Sequence, residues 1–323
     1  MVRMVIVTGA NGALGKAYVD FFEAQPATVC VGISRKAAQT KNPNTTYLQA
    51  DLSDPRQVEQ EMRKLPLSDV HEIVLVHAVG KFKLDPRKEK EFDREVWESN
   101  VDTFRNVSRA LLFRVRQQSK RPLVTLCAFG SVSDKYNIFA WRSYTAAKNY
   151  LRALMQKLSR LEKNTKIRGV FVNVSTVKTQ NEEKLRPFAD QRFWLSPEEI
   201  VKRSAETIQN PASWTELDVI KPRPGFDERY YRDPSRVARK WADERAGRLP
   251  QVAKRLAFVG VVGAALLGIS SDQAIESTRR GIGRYQISKI DDVAAEYGRE
   301  HPEKCNRRKE AEGVNEIRSF END

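Results

Sequence analysis

The sequence predicts an α/β protein: a doubly wound parallel sheet of about seven strands with helices on both faces, plus a C-terminal helical and disordered extension. Three observations predict it. Short β-branched runs alternate with stretches whose apolar residues recur at helical spacing. The first run leads straight into glycines at positions 9, 12 and 15, and a helical stretch follows at once. The alternation persists to about residue 220 and then gives way to a densely charged segment.

The run over residues 2–8 suits a buried parallel strand. Gly9, Gly12 and Gly15 follow, and residues 16–23 have helical spacing. Strand, glycine turn and helix form the context a nucleotide site requires. The glycines allow a tight turn and close backbone approach to a pyrophosphate, and the helix start offers unpaired N–H groups and a positive dipole end. Further strands are predicted over 28–34, over 45–50 ending at Asp51, and over 72–77, 123–128, 168–174 and 217–220. Helices are predicted over 55–65, 91–118, 144–162 and 197–209. The last begins well, with Ser196 as cap, Pro197 in first position and Glu198 and Glu199 in the first turn.

The segment Ser143-Tyr-Thr-Ala-Ala-Lys148 carries the chemistry, and Ser131 stands thirteen residues before Tyr144. A tyrosine and a lysine four apart on a helix share one face. An ammonium near a phenol favours the phenolate, so Lys148 is expected to lower the Tyr144 pKa and make it a proton donor useful at neutral pH. A serine hydroxyl nearby would hold a carbonyl oxygen for that proton. Taken alone, the pair reads equally as a core aromatic and a solvated charge; its order behind a nucleotide turn favours the catalytic reading.

With Thr8-Gly9, Gly15, Asp51, Asn100, Ser131, Tyr144, Lys148 and Val177-Lys-Thr179 in order and near the right spacing, the chain resembles the short-chain dehydrogenase/reductase family over about residues 1–222. The resemblance implies a Rossmann-type fold. It implies that Tyr144 is the acid/base at the carbonyl oxygen and that Ser131 orients that oxygen. Lys148 would bind the nicotinamide ribose hydroxyls, and Asn100 would hold a water in the proton relay. The turn of Thr8, Gly9, Asn11, Gly12, Leu14 and Gly15 would cradle the pyrophosphate. Asp51 and Leu52 would meet the adenine, and Val177 and Thr179 the nicotinamide carboxamide or a phosphate.

The chain departs from the family pattern in three places. Ala13 stands where the compact branch has glycine, and Gly12 fits the spacing of the extended branch. His77-Ala-Val-Gly80 replaces Asn-Asn-Ala-Gly, and Val174-Ser175 replaces Pro-Gly. His77 is read as packing at the strand end rather than as catalytic. After the second strand comes Ser34-Arg35-Lys36, with no acid to accept a free ribose 2′-hydroxyl. A guanidinium suits a 2′-phosphate, so Ser34 and Arg35 point to NADP(H) over NAD(H).

The formal net charge is +14. The basic residues are scattered rather than clustered with interleaved aromatics, and no nucleic-acid motif is present, so direct nucleic-acid binding is not expected. Three cysteines and three histidines lack metal-ligand spacing, and no metal site is expected. The first apolar run is the strand of the glycine turn rather than a signal peptide, which fits a cytoplasmic protein. Three segments are expected: a nucleotide-binding domain over 1–225 that folds when the chain ends after Gly225, a charged segment over 226–299, and a disordered tail over 300–323. The charged segment contains an apolar helix over 256–269. That helix is short for a bilayer span, so it is read as buried or oligomer-forming, with peripheral membrane contact or a short membrane span as alternatives.

The expected protein is thus an NADP(H)-dependent carbonyl reductase or alcohol dehydrogenase, a homo-oligomer acting on a small molecule. A catalytically idle nucleotide-binding scaffold and an extended-branch epimerase or dehydratase on a sugar nucleotide are the alternatives.

Overall fold

In the computed structural model the apolar runs become one parallel sheet. The structure describes residues 2–36, 42–83, 93–138, 141–161 and 167–246. The elements in order are β1 Val2–Thr8, α1 Ala13–Glu23, β2 Thr28–Ser34, β3 Thr45–Gln49, α2 Pro55–Arg63 and β4 Val70–His77. Then come α3 Arg94–Trp97, a π-helical turn Glu98–Asp102, α4 Thr103–Arg116, β5 Leu123–Ser131, α5 Val132–Tyr136 and α6 Arg142–Leu161. They are followed by β6 Ile167–Val174, α7 Gln180–Leu185, α8 Pro197–Gln209, β7 Trp214–Val219, α9 Glu228–Arg232 and α10 Pro234–Ala246. The sheet order is β3-β2-β1-β4-β5-β6-β7, parallel throughout.

Alternation along β1 divides the core into two layers. Met4 and Ile6 enter one layer with Val58 and Met62 of α2, Phe104 and Leu111 of α4, and Leu151 and Met155 of α6. Val5 and Val7 enter the other with Tyr18 and Phe22 of α1 and Ile200 and Ile208 of α8. Each such fully buried side chain contributes about 1.5–3 kcal/mol of transfer free energy. Burial on both faces explains why the central strands read as continuous apolar runs. Helix α8 has the bounds its caps announce, with Ser196 Oγ accepting the Glu199 N–H at 3.1 Å.

Two expectations are corrected, and packing is seen to continue past Gly225. The helix expected over 91–118 is interrupted by the π turn, where Asn100 Nδ2 reaches back to the Val96 carbonyl at 2.7 Å and Thr103 Oγ1 to the Ser99 carbonyl at 2.9 Å. Strand β5 runs on to Ser131 because Phe129, Gly130 and Ser131 stay in register with Val172, Asn173 and Val174. The first compact unit extends to Gly247, past Gly225. Tyr230, Val237 and Trp241, on α9 and α10, are buried against Val132, Ile138 and Trp141, and that packing carries the boundary forward. The apolar run 256–269 and the tail 300–323 lie outside the described residues.

Candidate active site

Strand order reverses between β1 and β4, and the residues singled out by the sequence gather at and beyond the carboxyl ends of the strands, where an open α/β sheet forms its ligand crevice. The β1–α1 turn is built by its glycines. Gly9 has φ of 70°, in the left-handed region. A Cβ on Gly15 would lie 2.2 Å from the Gly9 carbonyl oxygen, so only glycine lets the start of α1 come so close to the strand end. Gly12 occupies the N-cap position of α1 and contributes no side-chain cap. Asn11 and Gly12 are exposed, and Leu14 is half-buried. This cradle fits a pyrophosphate, with backbone N–H groups as donors and the helix dipole behind them.

Asn11 Nδ2 donates to the Lys36 carbonyl at 3.0 Å, and Ser34 Oγ to the same carbonyl at 2.6 Å, tying the glycine turn to the end of β2. Arg35 and Lys36 are exposed there. Asp51 accepts from Ser53 Oγ at 2.8 Å and Ser53 N–H at 3.0 Å; these bonds, with Arg35 nearby, hold its carboxyl below the usual range. Leu52 is buried. Val177 forms a parallel bridge with Leu195, and Thr179 Oγ1 caps α7 by accepting the Glu182 N–H at 3.2 Å. Thr8 is fully buried with its hydroxyl 2.8 Å from His77 Nδ1, so its side chain serves the sheet.

Ser131, at the end of β5, lies close enough to Tyr144, on the first turn of α6, to pull its phenol pKa down. Lys148 is buried one turn further along α6, its ammonium 5.4 Å from the centre of the Tyr144 ring. Asn100 is held by its amide nitrogen, which donates to the Lys81 carbonyl at 2.8 Å and the Val96 carbonyl at 2.7 Å. Its Oδ1 is buried and has no hydrogen-bond partner among the described residues. Gly80 marks where this oxygen points: a Cβ there would lie 2.6 Å from Asn100 Oδ1 and 3.4 Å from Lys148 Nζ. A lone buried acceptor beside an ammonium is suited to a bridging water.

Electrostatics correct one expectation. Lys148 does not dominate Tyr144. Burial, reinforced by the Asp134 charge, raises the phenol, while Ser131 pulls the other way. Burial lowers Lys148 to about 8, with Asp134 opposing. Tyr144 is therefore held protonated, ready to give a proton rather than poised as phenolate. Burial, then Lys148, pushes His77 down to about 3. Its Nε2 lies 3.2 Å from Thr103 Oγ1, whose proton goes to the Ser99 carbonyl, so Nε2 carries hydrogen and Nδ1 accepts from Thr8. This neutral histidine stitches β1 to β4 and α4, as the packing reading requires.

Sequence reasoning missed the wall beside Tyr144. Phe82 meets the Tyr144 ring edge-on at 5.1 Å, and Trp141 and Trp241 pack on Phe82 at 5.4 and 5.1 Å. Trp241 is brought by α10, which is latched down by Glu244. That buried carboxylate accepts from Arg186 Nη1 at 2.9 Å and Arg223 Nη1 at 3.0 Å. Arg186 also stacks between the rings of Trp241 and Trp194. A signal for α10 was present in Val237 and Trp241, four apart in a charged stretch, but two apolar residues do not make a readable periodicity.

The family model described as short chain dehydrogenase matches residues 3–190. No curated protein matches the sequence. Among solved structures, the ligand-free aldohexose dehydrogenase of Thermoplasma acidophilum is 17% identical with a TM-score of 0.55, over 68% of this chain and 92% of that one. The NADPH-bound carbonyl reductase from chicken fatty liver is 17% identical with a TM-score of 0.55, over 67% of this chain and 91% of that one. A 4-hydroxyisoleucine dehydrogenase complexed with NADH is 18% identical with a TM-score of 0.54, over 67% and 96%. At these identities the likeness is one of fold.

Proposed function

From the premise that the chain belongs to the short-chain dehydrogenase family, we propose that it is an NADP(H)-dependent oxidoreductase interconverting a carbonyl and an alcohol on a small molecule, with Ser131, Tyr144 and Lys148 as its catalytic set. The observation that carries the proposal is buried Lys148 beside the Tyr144 ring, with Ser131 acting on the same phenol and the Asn100 oxygen, unpartnered among the described residues, bordering the same glycine as the lysine. A purely structural role for these residues gives no reason to bury an ammonium next to an acceptor that has no partner among the described residues.

The nicotinamide, when bound, supplies the hydride. The residues do the rest. Ser131 and Tyr144 share the carbonyl oxygen, and Tyr144 gives it a proton as negative charge develops there. Lys148 holds the ribose hydroxyls, and a water on Asn100 Oδ1 links Lys148 to solvent so that the tyrosine is reprotonated. Preference for NADPH rests on exposed Arg35, beyond the end of β2, in a Ser34-Arg35-Lys36 sequence that offers a guanidinium rather than an acid to the ribose 2′ position.

The test is oxidation of NADPH, against NADH, with a panel of ketones and aldehydes, following cofactor and carbonyl together. The proposal expects loss of one carbonyl per NADPH consumed and faster turnover with NADPH. Cofactor that stays bound and unconsumed while a sugar nucleotide is converted would favour an extended-branch epimerase. Absence of binding to either cofactor would end the proposal.

A further inference from the structure

The turn that presents Ser131 is held from behind by a buried carboxylate. Ser131 Oγ accepts the Ser133 N–H at 3.2 Å, which leaves its O–H to donate towards the site, and the Ser131 N–H donates to Asp134 Oδ1 at 2.6 Å. Asp134 Oδ2 is bound by Arg152 Nη2. The Asp134 side chain has no exposed surface. Arg152 stands four residues beyond Lys148, which stands four beyond Tyr144, so one face of α6 carries all three. Arg152 is itself fixed: Nη2 reaches Asn173 Oδ1 on β6 at 3.2 Å, Nε lies 3.2 Å from Glu216 Oε1 on β7, and the guanidinium rests on the Phe171 ring. Asn173 in turn donates to Asp218, which pairs with Lys135.

We propose that Asp134 is a positioning residue: anchored by Arg152, its carboxylate fixes Ser131 against Tyr144 and keeps a negative charge behind the Tyr144–Lys148 pair. Its consequence for turnover rests on the function proposed above; its structural content does not. A five-residue helix has no need of a desolvated acid to start it, because an exposed one caps equally well at lower cost. The charge also has targets. It raises both Tyr144 and Lys148, while burial raises Asp134 itself to about 6, so it is ionised at pH 7 and above. Asp134 acts on or is bound by Ser131 on β5 and Tyr144, Lys148 and Arg152 on α6; Asn173 on β6 and Glu216 on β7 reach it through Arg152, Asp218 and Lys135 lie beyond Asn173, and Glu182 on α7 adds a negative charge that also raises Tyr144.

The experiment uses the full chain with Asp134→Ala and Asp134→Asn. Hydrogen exchange at one fixed pH is followed over peptides covering 126–136 and, as reference, over β1 and β4. Asp134→Ala is expected to speed exchange in 126–136 about tenfold, the scale of a lost capping bond, with the reference strands unchanged. Asp134→Asn, whose amide oxygen still accepts the Ser131 N–H, is expected to keep most of the protection. With NADPH and a carbonyl reduced in the screen, Asp134→Ala should lower kcat at unchanged KM for NADPH. Asp134→Asn should move the alkaline limb of kcat to lower pH by about half a unit or more, because the charge that raises Lys148, and Tyr144 with it, is gone. Unchanged exchange in Asp134→Ala, or loss spread evenly to β1 and β4, would overturn the positioning role. An Asp134→Asn profile lying on the wild-type one would overturn the role of the charge. If Asp134→Ala does not fold, Asp134→Asn still decides. A Tyr144→Phe variant with full activity would sink the proposed function while leaving the exchange result standing.

Discussion

Lys148 holds two groups to account at once. Burial brings it to about 8, so it is mostly charged at pH 7 and mostly neutral at pH 9. If it holds the ribose of a polyanionic cofactor, NADPH affinity should fall as pH rises through 8, and Lys148→Met should bind more weakly at pH 7 and lose that pH dependence. Fluorescence titration at pH 7 and 9 checks this; an equal slope in Lys148→Met would remove the lysine from the cofactor. Arg35 has a separate signature. Arg35→Ala should weaken NADPH about tenfold or more, the scale of a charge-assisted bond, and leave NADH nearly unchanged. Equal dissociation constants for the two cofactors in the wild type would refute the preference. The sequence singled out Tyr144 and Lys148 by their spacing on one helix, and Ser131 and Asn100 by order along the chain and family resemblance; the structure brings these residues to one region. The direction of the Tyr144 shift was not, because it depends on Asp134 and on burial, which only the folded chain reveals.

At the level of elements, the β1–α1 turn and the π turn do the positioning. The first was legible, since glycine has few other reasons to recur between a β-branched run and a helix. Gly15→Ala forces a methyl against the Gly9 carbonyl. It should cost about 1–3 kcal/mol in urea unfolding and reduce NADPH binding; unaltered stability and binding would mean the turn relaxes freely. The π turn was not legible. Residues 91–118 carry a pattern a straight helix satisfies equally well, and the deviation comes from side chains of Asn100 and Thr103 taking backbone carbonyls one turn back. Helices α5 and α7, of five and six residues, are too short to show a period, and their caps, Ser131 and Thr179, were read only as ligand contacts.

Across the whole unit, the sequence conveys the layered sheet but not the packing of α9 and α10 beyond Gly225. Apolar runs mark strands buried on both faces, whereas α10 is joined to the rest by a buried ion network and two aromatic contacts within a stretch dominated by charge. Glu244→Gln in the full chain takes a carboxylate from Arg186 and Arg223. Because Glu182 still partners Arg186, the loss should fall near the low end for a broken buried pair, about 3 kcal/mol. Thermal unfolding checks it, and an unchanged Tm would show that α10 is not latched by Glu244. By the same argument, ending the chain after Gly225 should lower the Tm of the folded domain, since it strips Trp241 from Phe82 and Trp141. The central claim is that this fold brings one protonated tyrosine to a carbonyl beside a nicotinamide. Its most direct test is kcat for Tyr144→Phe on a carbonyl the wild type reduces, with NADPH affinity measured on the same samples. The account predicts a fall of about a hundredfold or more with affinity unchanged; near-normal kcat in that variant would contradict it.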